Sequence, residues 1–336
     1  MCTRTLYVAE DNATVITGRN MDWQEYMHTA LWALPAGMQR DSAAKVNPFS
    51  WTAKYGSVIV AGYQAGSADG MNEKGLVANL LYLAESDYGQ PSGHKPQLSI
   101  SVWAQYVLDN FACVAEAVAA LRQETFDVVA PVLPNGAPAS LHLSLSDAAG
   151  DSAIFEYIAG HLVIHHDKAY RVMTNSPSYD QQLAISTYWQ QIGGLVFLPG
   201  TNRAADRFAR ASFLLEAIPK KIDPNFIAAV PGQTLDHQAV ASVMSVQRSV
   251  SVPLGITTPD QPNISSTIWR TVCDHKNLNY YFDSATAPNT FWVALEHLDL
   301  SVGAPTQVLA LNPDVMLAGE VSAHFVPAKP FTFLPG

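Results

Sequence analysis

The chain begins with two short segments typical of β-strands, separated by a polar turn. Thr3–Ala9 and Thr14–Trp23 carry strand-forming residues, and the tetrapeptide EDNA lies between them at Glu10–Ala13. Asp and Asn favour turns because their short side chains hydrogen-bond the neighbouring backbone. The pattern therefore predicts an antiparallel hairpin at the start of the chain.

Further along, the pattern alternates between blocks of strands and blocks of helices. A second hairpin is predicted within Ser57–Leu83, with a tight turn at Asn72–Gly75. Ile100–Leu121 has helical periodicity with a break near Asn110. Further strands are predicted at Leu141–Asp147, Ala153–Ile158, His161–His165, Ser265–Cys273, Leu278–Phe282 and Thr290–Leu295. Further helices are predicted at Tyr179–Ile192, Ala204–Ala217 and His237–Val246. This order predicts antiparallel sheets with helices layered on them, and the absence of a GxGxxG motif argues against a dinucleotide fold.

Composition narrows the classes of partner. The 336 residues are 48% hydrophobic with a formal net charge of −10, and they contain no basic run, so nucleic acid is not an expected partner. The apolar run Leu76–Ala84 is far shorter than the ~20 residues that span a bilayer, so no membrane insertion is expected. No signal peptide is visible, which predicts a cytoplasmic protein, or a periplasmic one if a leader has been removed.

Cysteine and histidine usage gives no support for a metal or a disulfide framework. Cys2, Cys113 and Cys273 are odd in number and widely spaced. Cys273 is followed by His275, but a papain-type pair would need a third group to orient the histidine. The pair His165-His166 lacks a suitably spaced third ligand. The sequence therefore predicts no metal and no organic cofactor.

Cys2 is the residue with the clearest chemical potential. Removal of Met1, which is usual before a small residue, would give Cys2 both a thiol and a free α-amine. An α-amine has an ordinary pKa of roughly 7.7–8.0, so it can accept the thiol proton near neutral pH. Nucleophile and base would then share one residue, as in N-terminal nucleophile hydrolases.

The predicted hairpin brings charged residues to Cys2. If the turn is centred after Asp11, paired residue numbers sum to about 23 and Cys2 faces Met21. Arg19 would then stabilise a thiolate, and Asp22 would orient the α-ammonium. A register slip of one residue would exchange the two faces, and a surface ion pair is the simpler alternative for the two charges.

Five segments resemble the choloylglycine hydrolase family, which contains penicillin V acylases, bile salt hydrolases and some N-acyl homoserine lactone acylases. They are MCTRTLYVAEDNATVITGRNMDW at the start, ADGMNEKGL at Ala68–Leu76, VMTNSP at Val172–Pro177, LPGTNRAADRFARASF at Leu198–Phe213 and TIWRTVCDHKNLNYYFDS at Thr267–Ser284. They occur in family order across nearly the whole chain. The resemblance implies one domain over residues 1–336, a four-layer αββα sandwich of the α+β class, and a homotetramer.

The resemblance also implies a site. Cys2 would be the nucleophile, flanked by Arg19 and Asp22. Asn175 would donate its side-chain amide to the oxyanion, and Arg207 would lie near the nucleophile. The ordinary alternatives are a turn residue for Asn175 and a solvated helix face for Arg207.

The substrate is predicted from Tyr82 and a few apolar residues. The family resemblance implies that penicillin V acylases tend to carry Tyr at the position of Tyr82 and bile salt hydrolases Asn, and that the backbone amide near Tyr82 completes the oxyanion hole. Met21, Trp23, Tyr26 and Trp32 are candidates for an apolar acyl pocket, although such residues more often belong to a core. The expected substrate is thus a small acyl amide of the penicillin V or acyl homoserine lactone type. A conjugated bile salt is the alternative, and an inactive binding protein on the same fold is a remote one.

The first testable prediction concerns processing. We expect intact-mass spectrometry of the purified protein to show loss of Met1, because only a free Cys2 α-amine can act as the base. Retention of Met1 across the whole preparation would instead favour the inactive binding protein.

Overall fold

The computed structural model describes residues 2–193, 197–256 and 265–336. The strands are β1 Cys2–Val8, β2 Val15–Trp23, β3 Ala30–Leu34, β4 Gln39–Asp41, β5 Ser50–Thr52, β6 Ser57–Gly62, β7 Gly66–Asn72, β8 Val77–Tyr82, β9 Gln97–Ser99, β10 Asp127–Val129, β11 Leu141–Ser146, β12 Ser152–Ile158, β13 His161–His166, β14 Val172–Met173, β15 Ser266–Asp274, β16 Asn279–Ser284, β17 Thr290–Ala294, β18 Gln307–Ala310, β19 Gly319–Glu320 and β20 Val326–Pro327. The helices are α1 Trp103–Asn110, α2 Val114–Leu121, α3 Tyr179–Ile192, α4 Ala204–Ala217 and α5 Leu235–Ser249.

Two large sheets form the centre of the molecule. Sheet A has seven strands in the order β14-β1-β2-β15-β16-β17-β19, and sheet B has nine in the order β13-β12-β11-β8-β7-β6-β3-β18-β20. Strands β1 and β2 of sheet A pack against β8 of sheet B. Helices α4 and α5 cover sheet A, and α1 and α2 cover sheet B. The result is the four-layer αββα sandwich that the family resemblance implied.

Strand β6 contributes apolar side chains to both cores of the sandwich, one on each of its faces. Its residues alternate between two cores: Val58 and Val60 face the space between the sheets, whereas Ile59 and Ala61 face the helices on the outer side of sheet B. All four are fully buried. A strand buried on both faces is apolar throughout, because neither of its faces contacts water.

The predicted elements are largely confirmed, with two informative differences. Helices α3 and α4 have the predicted bounds. Ser57–Leu83 forms three strands rather than one hairpin, because Tyr63 and Gln64 adopt positive φ and reverse the chain a second time. Strand β3 was not predicted from the sequence, since its buried run ALWAL lacks the polar alternation that marks a half-exposed strand.

The register of the first hairpin is confirmed. Cys2 pairs with Met21, as the turn position predicted. On the other side of β2, a register shift between Thr267 and Trp269 leaves an extra residue in β15. Such a bulge sends residues two apart to opposite faces of the sheet, which matters for the site described below.

A buried histidine joins the two sheets. His275, which follows β15, hydrogen-bonds Gly75 O with its Nδ1 at 2.6 Å and Thr17 Oγ1 with its Nε2 at 2.7 Å. Thr17 also reaches Ser146 Oγ in sheet B, at 2.7 Å. At Gly75 φ is +76°, and a Cβ there would lie 2.4 Å from His275 O, so glycine is required for this close approach.

The buried hydrogen bonds of His275 predict that the free energy of unfolding depends on pH. Burial lowers the pKa of His275 to about 4, against an ordinary 6.5. The unfolded chain binds a proton at His275 more readily than the folded protein does. Neutral His275 therefore contributes its full stabilisation above the pKa of the unfolded state, and this stabilisation is lost as pH falls toward the pKa of the folded state. We expect the wild type to lose about 2 kcal/mol more unfolding free energy than His275→Gln between about pH 7 and about pH 5. Urea unfolding at the two pH values measures this, with the exposed His161→Gln as control, and equal losses in all three proteins would contradict it.

Candidate active site

Cys2 lies at the start of β1, with its side chain in the space between the two sheets. It is 2% exposed. Arg19 Nη2 lies 3.7 Å from the Cys2 Sγ, and Met21 Sδ lies 3.8 Å from it. The structure therefore brings the predicted nucleophile and the predicted cation together, and a thiolate at Cys2 would face a buried guanidinium.

Arg19 is held by groups from three directions. Its Nη2 donates to Leu80 O at 2.9 Å, and its guanidinium carbon lies 4.6 Å from the ring centre of Trp269. Its Nη1 lies 3.7 Å from the carboxylate of Asp69, a fully buried residue. Burial raises the pKa of Asp69, and the charge of Arg19 opposes that shift. Asp69 was not singled out from the sequence, although ADGMNEKGL was recognised as a motif.

Three donors besides Arg19 surround the Asp69 carboxylate. Asn79 Nδ2 donates to it at 2.7 Å, Thr271 Oγ1 at 3.3 Å, and Tyr280 OH through a short hydrogen bond. A buried carboxylate costs much less free energy when its oxygens accept several hydrogen bonds. This shell fixes Asp69, and Asp69 in turn limits where the Arg19 guanidinium can lie.

Asp22 lies on the other face of β2, because residues three apart in a strand point to opposite sides. Its carboxylate accepts from Thr267 Oγ1 at 2.6 Å and lies 3.7 Å from Arg207 Nη1. The bulge in β15 allows this: Thr267 reaches Asp22 on the helix side, whereas Trp269 reaches Arg19 on the sulfur side. The side chains of Arg19 and Asp22 therefore lie on opposite faces of the hairpin.

Arg207 is buried in α4 and contacts the nucleophile's backbone. Its Nη1 donates to Cys2 O at 2.5 Å and to the hydroxyl of Thr3. Burial lowers the pKa of Arg207, while the charges of Asp22 and Cys2 act to raise it. The predicted position in the DRF triplet is thus the one that reaches Cys2, whereas Arg210 donates to backbone carbonyls of the preceding loop.

Asn175 connects the groups around Cys2. Its Oδ1 accepts from the Cys2 nitrogen at 2.5 Å and from Arg207 Nη2 at 2.8 Å. Its Nδ2 donates to Tyr82 O at 2.6 Å, which uses one of the two N–H groups of the amide. Asn175 is therefore placed to orient the Cys2 nitrogen, and its second N–H remains a candidate donor to an oxyanion.

The backbone N–H of Tyr82 points toward the same region. Leu83 N–H donates to Ser140 O across the ladder between β8 and β11. Because hydrogen-bonding directions alternate along an antiparallel strand, the N–H and C=O of Tyr82 point away from β11. Pairing of β8 with β7 on that side extends only from Val77 to Asn79. The Tyr82 N–H thus lies beyond the paired part of the ladder.

His142 and Glu156, which the sequence did not single out, hold the loop that carries Asn175. His142 Nε2 lies 3.1 Å from Thr174 O, and its Nδ1 lies 3.0 Å from Glu156 Oε1. Glu156 Oε2 accepts from Tyr179 N–H at 3.0 Å. The pair thus anchors the residues on both sides of Asn175. Burial acts to raise the pKa of Glu156, but the combined effects of His142, His165 and the Tyr179 N–H outweigh it and lower the pKa to about 2.

An apolar cleft of about 700 Å³, including its mouth, opens beside Cys2. Met21, Trp23 and Tyr82, candidates for the acyl pocket and the oxyanion region, line it. Tyr26 and Trp32 do not line it. Tyr26 is 64% exposed beyond the end of β2, and Trp32 on β3 faces the outer core of sheet B. Sheet pairing sets which way the strand residue Trp32 faces, whereas Tyr26 lies in the connection between β2 and β3, and the aromatic composition could reveal neither.

The alternative sites have no geometric support. Both ring nitrogens of His275 are hydrogen-bonded, to Gly75 O and Thr17 Oγ1. Burial raises the pKa of the Cys273 thiol well above its ordinary value. Within residues 2–193, 197–256 and 265–336, no group of three His, Cys, Asp or Glu side chains is placed to hold a metal ion. Among the helices of the same ranges, none is long and apolar enough to cross a membrane.

Comparison with known proteins agrees with this geometry. The profile of the linear amide C–N hydrolases, choloylglycine hydrolase family, matches residues 2–308. This chain belongs to the choloylglycine hydrolase family. Over 345 residues the chain is 49% identical to a penicillin V acylase from Pectobacterium atrosepticum, covering 99% of this chain and 92% of that protein. The structure of penicillin V acylase from Agrobacterium tumefaciens has a TM-score of 0.89 and 52% identity, with 100% of both chains covered.

The bile salt branch of the choloylglycine hydrolase family is more distant. A bile salt hydrolase/transferase from Clostridium perfringens is 29% identical over 247 residues, covering 66% of this chain and 73% of that protein. A conjugated bile acid hydrolase structure from the same organism has a TM-score of 0.76 at 22% identity, covering 93% of this chain and 97% of that one, and it shares the fold. The predicted family, fold and reaction class are confirmed.

The geometry around the sulfur predicts the effect of removing its cation. In a Cys113→Ser background, Arg19→Met should slow alkylation of Cys2 by iodoacetamide about tenfold or more at neutral pH, because a thiolate loses its neighbouring positive charge. Arg19→Lys should recover part of the rate. The matched control is Arg203→Met, an exposed arginine at the start of α4, and Cys2→Ser gives the background. Alkylation of Arg19→Met at the wild-type rate would contradict the prediction.

Proposed function

We propose that this chain is a penicillin V acylase-like amidase in which Cys2 is the nucleophile and the apolar cleft receives the acyl group. The observation that carries the proposal is the position of Cys2, whose sulfur lies 3.7 Å from Arg19 and opens onto that cleft. The relation to two penicillin V acylases, at 49% and 52% identity, supports the choice of substrate class.

The first half of the reaction forms a thioester. The Cys2 sulfur attacks the carbonyl carbon of the amide, and the Cys2 α-amine takes up the thiol proton. The negative charge on the tetrahedral oxygen is stabilised by the second N–H of Asn175 and by the backbone N–H of Tyr82. Loss of one such donor typically lowers kcat ~10²–10³-fold. The α-ammonium then protonates the leaving nitrogen as the C–N bond breaks.

The second half hydrolyses the thioester. The α-amine, now neutral, takes a proton from water as the water oxygen attacks the acyl carbon. The C–S bond breaks, the sulfur leaves as the thiolate stabilised by Arg19, and the carboxylic acid is released. Asn175 Oδ1 orients the nitrogen that performs these proton transfers, since it is the acceptor for the Cys2 nitrogen. Each step uses groups of this chain and a water molecule.

Each charged residue has a separate part in this scheme. Arg19 acts on the sulfur, and Arg207 holds the Cys2 carbonyl and the Asn175 oxygen. Asp22 balances the charge of Arg207 on the helix side of the sheet. The single domain, the homotetramer and the cellular compartment remain predictions from the sequence and its family resemblance.

The test is a comparison of substrates with a matched nucleophile variant. Among penicillin V, a glycine-conjugated bile salt and N-acyl homoserine lactones of varied chain length, we expect the highest kcat/KM for penicillin V. Cys2→Ala should lose all turnover, and Cys2→Ser should lose most of it, because a hydroxyl is a weaker nucleophile than a thiolate.

Two results would count against the proposal. Full amide hydrolysis by Cys2→Ala would exclude the cysteine mechanism. A glycine-conjugated bile salt as clearly the best substrate would keep the mechanism but overturn the substrate assignment from Tyr82.

A further inference from the structure

The last residues of the chain form part of the wall of the active-site cleft. Residues 331–336, called here the C-terminal tail, follow β20 and form neither helix nor strand. The tail lies beyond residue 308, where the family profile ends. One of its residues, Leu334, lines the same cleft as Cys2.

Backbone hydrogen bonds fix Leu334 in place. Its carbonyl oxygen accepts from Ser99 Oγ and from Ser101 Oγ, both at 2.8 Å. Its N–H donates to Ala65 O at 2.8 Å. Two residues on, Gly336 N–H donates to Ala43 O at 3.0 Å. The tail is thus bonded to several separate segments of the chain, rather than lying loosely on the surface.

Aromatic packing holds the tail on its other side. The ring of Phe331 lies 5.5 Å from that of Trp32 in an edge-on arrangement, and 4.9 Å from that of Phe333. Trp32, predicted as a pocket residue, therefore does not line the cleft itself but packs against the tail that carries the lining residue Leu334. Aromatic pairs of this kind stabilise beyond their buried area, so the Trp32–Phe331 contact helps to hold the tail against β3.

The segments that the tail joins also line the cleft. Ala65 belongs to the connection between β6 and β7, Gly66 begins β7, and Ser101 follows β9. These two segments are in close contact, since a Cβ on Gly66 would lie 3.1 Å from Ser101 O. There is therefore little space for the wall to move outward when a larger acyl group enters.

We propose that Leu334 is a specificity-determining residue that limits the size of the apolar acyl group this cleft accepts. The proposal deepens the function proposed above and rests on it. Leu334 contributes an apolar side chain on a backbone fixed by three hydrogen bonds, in a cleft whose other residues are mostly apolar. A fixed wall distinguishes substrates by size, because a longer acyl group must either leave methylenes in water or displace packed atoms.

The experiment measures kcat/KM for short, medium and long straight acyl chains attached to one amine. Leu334→Ala should lower the value for the best short substrate and raise that for the longest, changing their ratio about tenfold or more. Leu334→Trp should change the ratio in the opposite direction. Thr332→Ala, an exposed tail residue outside the cleft, is the matched control and should keep the wild-type ratio. An unchanged ratio in both Leu334 variants would overturn the proposal.

A binding measurement separates this inference from the proposed reaction. In the Cys2→Ala background, calorimetric titration with the free carboxylic acids of the same chain lengths reports the cleft without chemistry. If the wild type hydrolyses none of the amides, the proposed function fails. Acid affinities that still change with the size of residue 334 would support its role in the cleft, and affinities indifferent to it would reject that role.

Discussion

The site depends on holding the second residue of the chain rigidly inside the protein. Chain termini usually fray, because few contacts hold them. Here β1 is paired on both sides, with β2 and with β14, and Cys2 is 2% exposed. Asn175 and Arg207 then fix the backbone atoms of Cys2 itself. A reactive group can be positioned to within a fraction of an ångström only when its own backbone is held in this way.

The two faces of the first hairpin carry different charged residues around Cys2. The sulfur of Cys2 points into the space between the sheets, where Arg19 supplies a positive charge. On the helix side, Arg207 donates to the Cys2 carbonyl and pairs with Asp22. Buried charges carry a large desolvation cost, so each is compensated: Arg19 by Asp69 and Trp269, and Arg207 by Asp22 and backbone carbonyls. Because the sheet lies between them, the two charge pairs can act on different atoms of one residue.

The proposed nucleophile and the wall of the acyl cleft lie on partly different elements of the fold. In the proposed reaction, Cys2 and Tyr82 lie on β1 and β8, two strands that pack against each other, and Asn175 lies on the loop after β14. The cleft wall combines residues of strands such as β2, β7 and β8 with connections between strands and the C-terminal tail. In the connections and the tail, a change of side chain affects fewer neighbours. Met21 and Trp23 lie at the junction, since both belong to β2 and both line the cleft.

The sequence by itself determined what depends on neighbouring residues. The turn after Asp11 set the pairing of Cys2 with Met21, and helical periodicity gave the bounds of α3 and α4. The family motifs indicated Asn175 and Arg207. Only the tertiary structure decided which distant side chains meet: Asp69 beside Arg19, His142 and Glu156 at the loop of Asn175, and Leu334 in the cleft. It also directed Tyr26 and Trp32 away from the cleft. The physical reason is that the facing of a strand residue depends on pairing across long stretches of chain, whereas turns and helices form from local backbone and side-chain preferences.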